Sequence, residues 1–519
     1  MFDISHDEVL KTVKSLKSKQ SCGYDEIPMK VLKLSIEVIL PPLCFIINRS
    51  FREGIFPDQL KIAIVKPLYK KGPVDHPNSY RPISILSSFS KIFEKILSNR
   101  LLNFFHKFNV ISIHQHGFMK NRNIETAIYE LINEVLVTIE QGEVPMGLFL
   151  DLSKAFDCVD HGRLLEILED CGIRDNQLKL MKSYLSSRKQ IVAVEVDGEV
   201  LTSEEREIAM GVPQGSIPGP IFFIVYINRL PKAKVSARHS MRMFADDTNY
   251  MLKSSNISTA IEASNNVLKS VGDWCRNHNL ILNIDKTQCM FFYNERSKLH
   301  YPFSINISGN DLMVRDSIVF LGIVIDKHLK WGPHIEQLRG KLNSICYMLF
   351  MLRNQVDFDL LKLVYFSNFQ SVLSYGIIFW GNASHVCDLF VIQKRALRTI
   401  LHLGYRQSCR GFFRSNNILT IFGLYIYRLL IFFSKQNHYF ESFKNLNNTR
   451  RMFPFSVPAH KTTLREKSVE CMAVNLFNIL PSQIRNLSCH IKFRKALYVL
   501  ILSCEPYNID EFKQFCKNS

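Results

Sequence analysis

MRMFADDTNYML (residues 241–252) carries two adjacent carboxylates, Asp246 and Asp247, between apolar runs of strand-forming character. This pattern predicts a β-hairpin with both aspartates at its tip. Like charges held side by side repel unless something positive lies between them. Mg2+ is the natural partner, because it prefers carboxylate and phosphate oxygens in an octahedral shell. Aspartate is also a common turn residue, and taken alone the pair reads more simply as an acidic turn.

A second segment changes that balance. LFLDLSKAFDCVDH (148–161) continues the apolar run VPMGLFL, so Asp151 ends a buried strand, and Phe156, Asp157 and Asp160 follow closely. One carboxylate from a strand end and two from a hairpin suffice for a two-metal site. One ion would lower the pKa of a primer 3′-hydroxyl, and the other would neutralise a triphosphate and its leaving group. On its own, Asp151 reads equally as a helix cap after a strand. A third segment, GVPQGSIPGP (211–220), predicts a loop with exposed backbone N–H groups, in which Gln214 and Ser216 are placed to touch nucleotide or template. No Gly-Lys-Ser/Thr follows it, so it is not a Walker loop.

Around these segments the periodicity predicts an α+β fold. An opening amphipathic helix carries Val9, Leu10, Val13 and Leu16, and a second helical stretch is expected to break at Pro41 and Pro42. IAIVKPLYKKG (62–72) reads as a strand running into a basic loop, and KIFEKILSNRLLNFFHKF (91–108) as a helix. Strands are expected at IVAVEVDG, MRMF, TNYML and MFFYNE, with a helix at IEASNNVLKSVGDWCRNH. Beyond residue 331 the pattern is mainly helical, and the last seventy residues are mixed and weakly patterned.

Composition narrows the functional classes. Among 519 residues, 65 Lys and Arg face 47 Asp and Glu, a formal charge of +18 that suits a polyanionic partner. The 13 cysteines include no C-x-x-C pair, so zinc ribbons and knuckles are unsupported and reduced, mostly buried thiols are expected. The first residues have no apolar core of a secretory signal. IFFIVYI and LYIYRLLIFF are far shorter than the ~20 apolar residues of a membrane span. A soluble, intracellular protein without a membrane partner is expected.

The order of segments carries a resemblance. SYRPIS (79–84), GFMKNRNIETAI (117–128), DLSKAFDCVDH (151–161), GVPQGS (211–216), FADD (244–247), LNIDKT (282–287) and FLGIVID (320–326) resemble the reverse transcriptase of non-LTR, jockey-like retrotransposons of arthropods. The similarity begins near KSKQSCGYDEIPMKVLK and reaches LKWGPHI (329–335) and VLSYGIIFWGNAS (372–384). It implies a right-hand polymerase of fingers, palm and thumb, with Asp151, Asp246 and Asp247 binding two Mg2+ or Mn2+ ions. Phe156 matches the aromatic that excludes a ribose 2′-OH. Arg81 matches a fingers residue near the incoming triphosphate, Gln214 and Gly215 the loop beside nucleotide and template, and Lys286 a palm lysine near the phosphates.

The implied activity is RNA-directed DNA polymerisation with an RNA template, a DNA primer or target and dNTPs, in a nuclear step after a cytoplasmic ribonucleoprotein stage. A catalytically silent RNA-binding relic and a group II intron-type enzyme are the alternatives. The expected division is a helical extension at 1–60, fingers and palm at 61–330, a thumb-like region at 331–440 and a C-terminal region at 441–519. Arg395 and Arg398, at i,i+3 on a thumb helix, share one face that suits a nucleic-acid backbone. Trp331 and His334 read as packing residues. Family members usually carry an endonuclease ahead of the polymerase, and this chain is expected to lack it. Three positions depart from the resemblance: Pro218 for leucine, Arg229 for aspartate and Glu125 for serine.

Overall fold

The computed structural model describes residues 3–233, 238–297, 301, 304–307, 310–444 and 454–518. Helix α1 (His6–Ser15) starts at Ser5, whose side chain accepts from the Glu8 N–H, and it buries Val9 and Val13 as the periodicity requires. Helices α2 (Met29–Leu34) and α3 (Ile36–Glu53) meet at Ser35, and Pro41 and Pro42 lie inside α3. The expected break at the prolines is therefore wrong. The two carbonyls that the prolines leave without an N–H belong to Glu37 and Val38, and both residues face solvent, where water replaces the lost bonds.

Strand β1 (Ile62–Tyr69) pairs antiparallel with β2 (Tyr80–Leu86), from Ala63↔Leu86 to Tyr69↔Tyr80. Helices α4 (Ser88–Lys107) and α5 (Ile124–Glu140) follow, then β3 (Val144–Leu150), with every residue from Pro145 onward buried, and the short β4 (Leu152–Ser153). Asp160 caps α6 (His161–Asp170) by accepting from the Arg163 N–H at 2.7 Å, and α7 (Asp175–Leu185) comes next. Strand β5 (Arg188–Val196) lies parallel to β1, and β6 (Glu199–Thr202) and β7 (Arg206–Ile208) pair antiparallel with β5. The apolar helix α8 (Gly219–Tyr226) is buried almost throughout.

Strands β8 (His239–Phe244) and β9 (Asp247–Ser254) form the expected hairpin, followed by α9 (Ile257–Asn277), β10 (Ile281–Leu282) and β11 (Gln288–Phe291). One sheet has the order β11-β3-β9-β8, and β10 pairs antiparallel with β4. The architecture is the expected α+β mixture with antiparallel pairing.

The chain divides into two compact units. The first holds Met1–Ala127, Phe149–Tyr250 and Glu262–Thr287, and the second holds Ile128–Leu148, Met251–Ile261 and Gln288–Ser519. In the second unit, α10 (Gly332–Leu352) lies against the helix Val386–Ile400 around a core that includes Trp380, Tyr365 and Phe369. The C-terminal residues are more ordered than their weak pattern suggests, with helices at Val469–Asn478, His490–Cys504 and Ile509–Lys517. They are anchored by a buried cluster. Tyr129 donates to Glu470 at 2.6 Å, and Arg465 bonds both Glu470 and Asn133. Glu140 accepts from the backbone N–H groups of Lys461 and Thr462. All thirteen cysteines are free thiols, seven of them buried. Among the described residues no helix is long and apolar enough to cross a membrane.

Candidate active site

Only Ala245 and Asp246 separate β8 from β9, and Ala245 takes φ +56°, the left-handed region that costs an L-residue about 1 kcal/mol or more. Something must hold this turn. Gln115, 1% exposed, does so: its Oε1 accepts from the Ala245 N–H at 3.1 Å and from the Gly117 N–H at 2.8 Å. Two donors on one oxygen also fix which way the amide faces. The same segment runs beside β8, with His116 N–H donating to Met243 O (2.8 Å) and Met243 N–H to His114 O (2.9 Å). A side chain at Gly117 would begin 2.6 Å from the Ala245 nitrogen, so only glycine lets the two strands of backbone approach this closely. Sequence reading missed Gln115 altogether.

Asp151 leaves the end of β3, and its surroundings are built from the LNIDKT segment. Asn283 N–H donates to Asp151 O at 2.9 Å, and β4 pairs with β10 through Leu152↔Leu282 and Ser153↔Ile281. That pairing brings Lys286 Nζ to 3.7 Å from Asp151 Oδ2, with both side chains open to water. The charge of Asp151 acts on both hairpin aspartates, and that of Asp246 acts on Asp247. Burial pushes Asp247 up to about 6, aided by the charges of Asp246 and Asp151 and opposed by Lys70. Asp246 is also raised, by burial first and then by Asp151, against its own backbone N–H, Lys70 and Arg81. Lys70 was read only as part of a basic loop; the strand pairing of β1 with β2 places it on the same side as Arg81.

The GVPQGS loop is stitched into both neighbours. Gly211 N–H donates to Val159 O (2.8 Å), Val212 N–H to Phe156 O (2.9 Å), and Gln214 Nε2 to Asp157 Oδ1 (2.9 Å). On the other side Ser84 N–H, in the strand that carries Arg81, donates to Gln214 O at 2.8 Å. Gly215 has φ +124° and a side chain there would meet Ser84 O at 2.5 Å. Phe156 stacks on Phe223 of α8 with ring centres 4.7 Å apart. The segments that carry Arg81, Phe156, Gln214 and Gly215 are thus joined by backbone hydrogen bonds.

Ser216 departs from its expected role. It is 5% exposed, donates to Pro213 O and accepts from Gly219 N–H, so it closes the loop internally and offers nothing to a ligand. Beneath the loop, buried Glu94 accepts from Ile217 N–H (3.0 Å) and from Tyr184 OH (2.7 Å), and the Arg188 guanidinium lies 4.6 Å over the Tyr184 ring. The three departures are accommodated. Pro218 precedes α8, where no N–H is called for. Arg229 pairs with Asp170 at 2.9 Å. Glu125 sits in the first turn of α5, where the helix dipole favours an acid.

Among the described residues no three His, Cys, Asp or Glu side chains close into a ready metal cage. The donors at this site are carboxylates alone, a set that fits a hard divalent cation completed by water and substrate oxygens. Arg395 and Arg398 lie in the second unit on the helix Val386–Ile400. Arg395 bonds Asn343, and Arg398 Nε donates to Gln407 O at 2.9 Å. Trp331 and His334 are packing residues as read, 6% and 2% exposed.

Residues 68–325 match the model of the reverse transcriptase (RNA-dependent DNA polymerase) family. Similar curated proteins include a probable RNA-directed DNA polymerase from transposon BS of Drosophila melanogaster, 29% identical over 80% of this chain and 46% of that protein. The RNA-directed DNA polymerase from mobile element jockey of the same organism is 29% identical over 76% of this chain and 44% of its own. The chain thus spans a little under half the length of these relatives. Apo telomerase from Candida tropicalis, truncated from its C-terminal domain, aligns at 12% identity over 58% of this chain and 59% of that one, with a TM-score of 0.34. Reverse transcriptases work with divalent cations. This chain carries, at residues 68–325, a reverse transcriptase domain related to the RNA-directed DNA polymerases of non-LTR retrotransposons.

Proposed function

We propose that this chain extends a DNA primer 3′-hydroxyl with dNTPs on an RNA template, using Asp151, Asp246 and Asp247 as the catalytic carboxylates. The observation that carries the reading is the gathering of these carboxylates: burial and the charge of Asp151 raise Asp246, burial and the charges of Asp246 and Asp151 raise Asp247, and Lys70 acts on both while Arg81 acts on Asp246. Two Mg2+ or Mn2+ ions, when bound, would lower the pKa of the primer hydroxyl and neutralise the triphosphate. Asp246 and Asp247 are held for this on a turn that Gln115 pins from behind. Arg81 and Lys70 draw the triphosphate electrostatically, and Lys286, beside Asp151, stands where a proton can be given to departing pyrophosphate. Phe156, backed by Phe223, presents a ring edge against a ribose 2′-OH and so favours deoxynucleotides. Gln214 and Gly215 offer side-chain and backbone groups to the nucleotide and template. A nuclear site of action at a nicked chromosomal target belongs to the same reading.

The test is primer extension on an RNA template with dNTPs and Mg2+ or Mn2+, run beside Asp246→Ala and Asp247→Ala. Extension by the parent and none by either variant supports the assignment. A folded parent that binds RNA yet extends nothing overturns it in favour of a silent RNA-binding relic.

A further inference from the structure

We infer that the second unit carries a separate site for unpaired nucleic acid, in the cleft between α10 and the helix Val386–Ile400. The cleft holds about 530 Å³ and is lined by Tyr347, Phe350, Arg353, Arg395, Arg398 and Tyr405. No carboxylate is among the residues that line it, whereas three guanidinium groups are. The aromatic rings are the second observation. Tyr405 is 85% exposed, Tyr347 67% and Phe350 49%, although burying such rings is normally favourable. Arg353 lies 4.3 Å over the Phe350 ring, a cation–π contact. Arg395 and Arg398 are oriented by Asn343 and by Gln407 O, and each keeps further N–H groups for a phosphate.

Exposed rings interleaved with arginines are what single strands recognise: bases stack on the rings and phosphates meet the cations. A paired duplex hides its base faces, so the aromatic half of this surface would be idle against one. The volume lies within the ~300–1,000 Å³ of ordinary ligand clefts and suits one or two nucleotides at a time. This inference does not depend on the polymerase reading, because none of these residues belongs to the carboxylate site.

The test uses the full chain and two labelled probes of equal charge, an oligouridylate of about eight nucleotides and the matching abasic oligomer, with fluorescence anisotropy across a salt series. The oligouridylate is expected to bind about tenfold more tightly than the abasic probe. Tyr347→Ala with Tyr405→Ala should remove that advantage and leave abasic binding unchanged, and Tyr405→Phe should retain it. Arg398→Gln should weaken both probes and lower the salt slope by about one. A 4-thiouridine probe should crosslink within 343–405. Equal binding of the two probes overturns the inference, since the cleft would then be a charged patch alone. A stacking advantage that survives the double tyrosine variant, or crosslinks confined to residues 68–290, also overturns it, by placing the stacked bases elsewhere. Primer extension by the same preparations is scored separately, so loss of polymerase activity is distinguishable from loss of this site.

Discussion

Gln115→Leu tests whether the turn that carries Asp246 and Asp247 is held from behind. Leucine matches glutamine in size and opens no cavity, but it offers no acceptor to the N–H groups of Ala245 and Gly117. Both bonds are buried, at 3.1 and 2.8 Å. A buried N–H left unpaired costs about 1–3 kcal/mol, and with partial relaxation the pair should cost about 2–4 kcal/mol in urea denaturation. The functional effect should exceed what lost stability explains. Ala245 is held at φ +56° immediately before Asp246, so a slackened turn moves the carboxylates. Misplacement by about 1 Å costs on the order of a hundredfold in rate. Steady-state primer extension at a temperature where the variant is fully folded should therefore show kcat down by ~10–100-fold, with KM for dNTP little changed because Arg81 and Gln214 are untouched. A variant that loses stability yet keeps its kcat would refute the positioning role, and one that loses less than ~1 kcal/mol would refute the bonding itself.

Four other outcomes are expected. Asp247→Asn, in chelator, should melt higher than the parent above pH 6: burial and the neighbouring carboxylates push Asp247 up to about 6, so the folded chain holds this proton more tightly than the unfolded chain does. Parent stability then falls as pH rises from about 4 through 6, the asparagine variant escapes that loss, and thermal melts across pH should converge near pH 4. Gly215→Ala meets Ser84 O at 2.5 Å with φ +124°, so it should shift the loop and lower dNTP affinity, read as a rise in KM. Phe156→Val should raise ribonucleotide incorporation in a competition between rNTP and dNTP, and unchanged discrimination would remove Phe156 from the sugar site. Arg465→Ala leaves Glu470 buried without its cation and should cost about 3–5 kcal/mol by urea denaturation.

What was legible in the sequence was local. Asp151 follows an uninterrupted apolar run, Asp246 and Asp247 sit between two strand-like halves, and the Gly and Pro spacing of 211–220 demands a loop; each signal lies within a dozen residues. The C-terminal helix Val469–Asn478 was illegible for the opposite reason. It is buried on nearly all sides, so no polar face marks a helical period. The prolines of α3 misled because a sequence does not say that the carbonyls they orphan face water. The supporting shell was hidden by chain distance. Gln115 lies 130 residues from the turn it holds, and Glu94 lies 123 residues from Ile217. Neither residue type is unusual at its own position, and each acquires its role only when backbone pairing brings the segments together. The same holds for Lys70, an ordinary surface lysine until β1 and β2 align it with Arg81. Motif residues can therefore be named from the chain alone, whereas the groups that set their geometry and charge require the fold, and those groups are where an intact triad can still fail. A copy with all three aspartates and a damaged Gln115 would pass any motif inspection and polymerise poorly, so the Gln115 variant is a sharper probe of activity than the aspartates themselves.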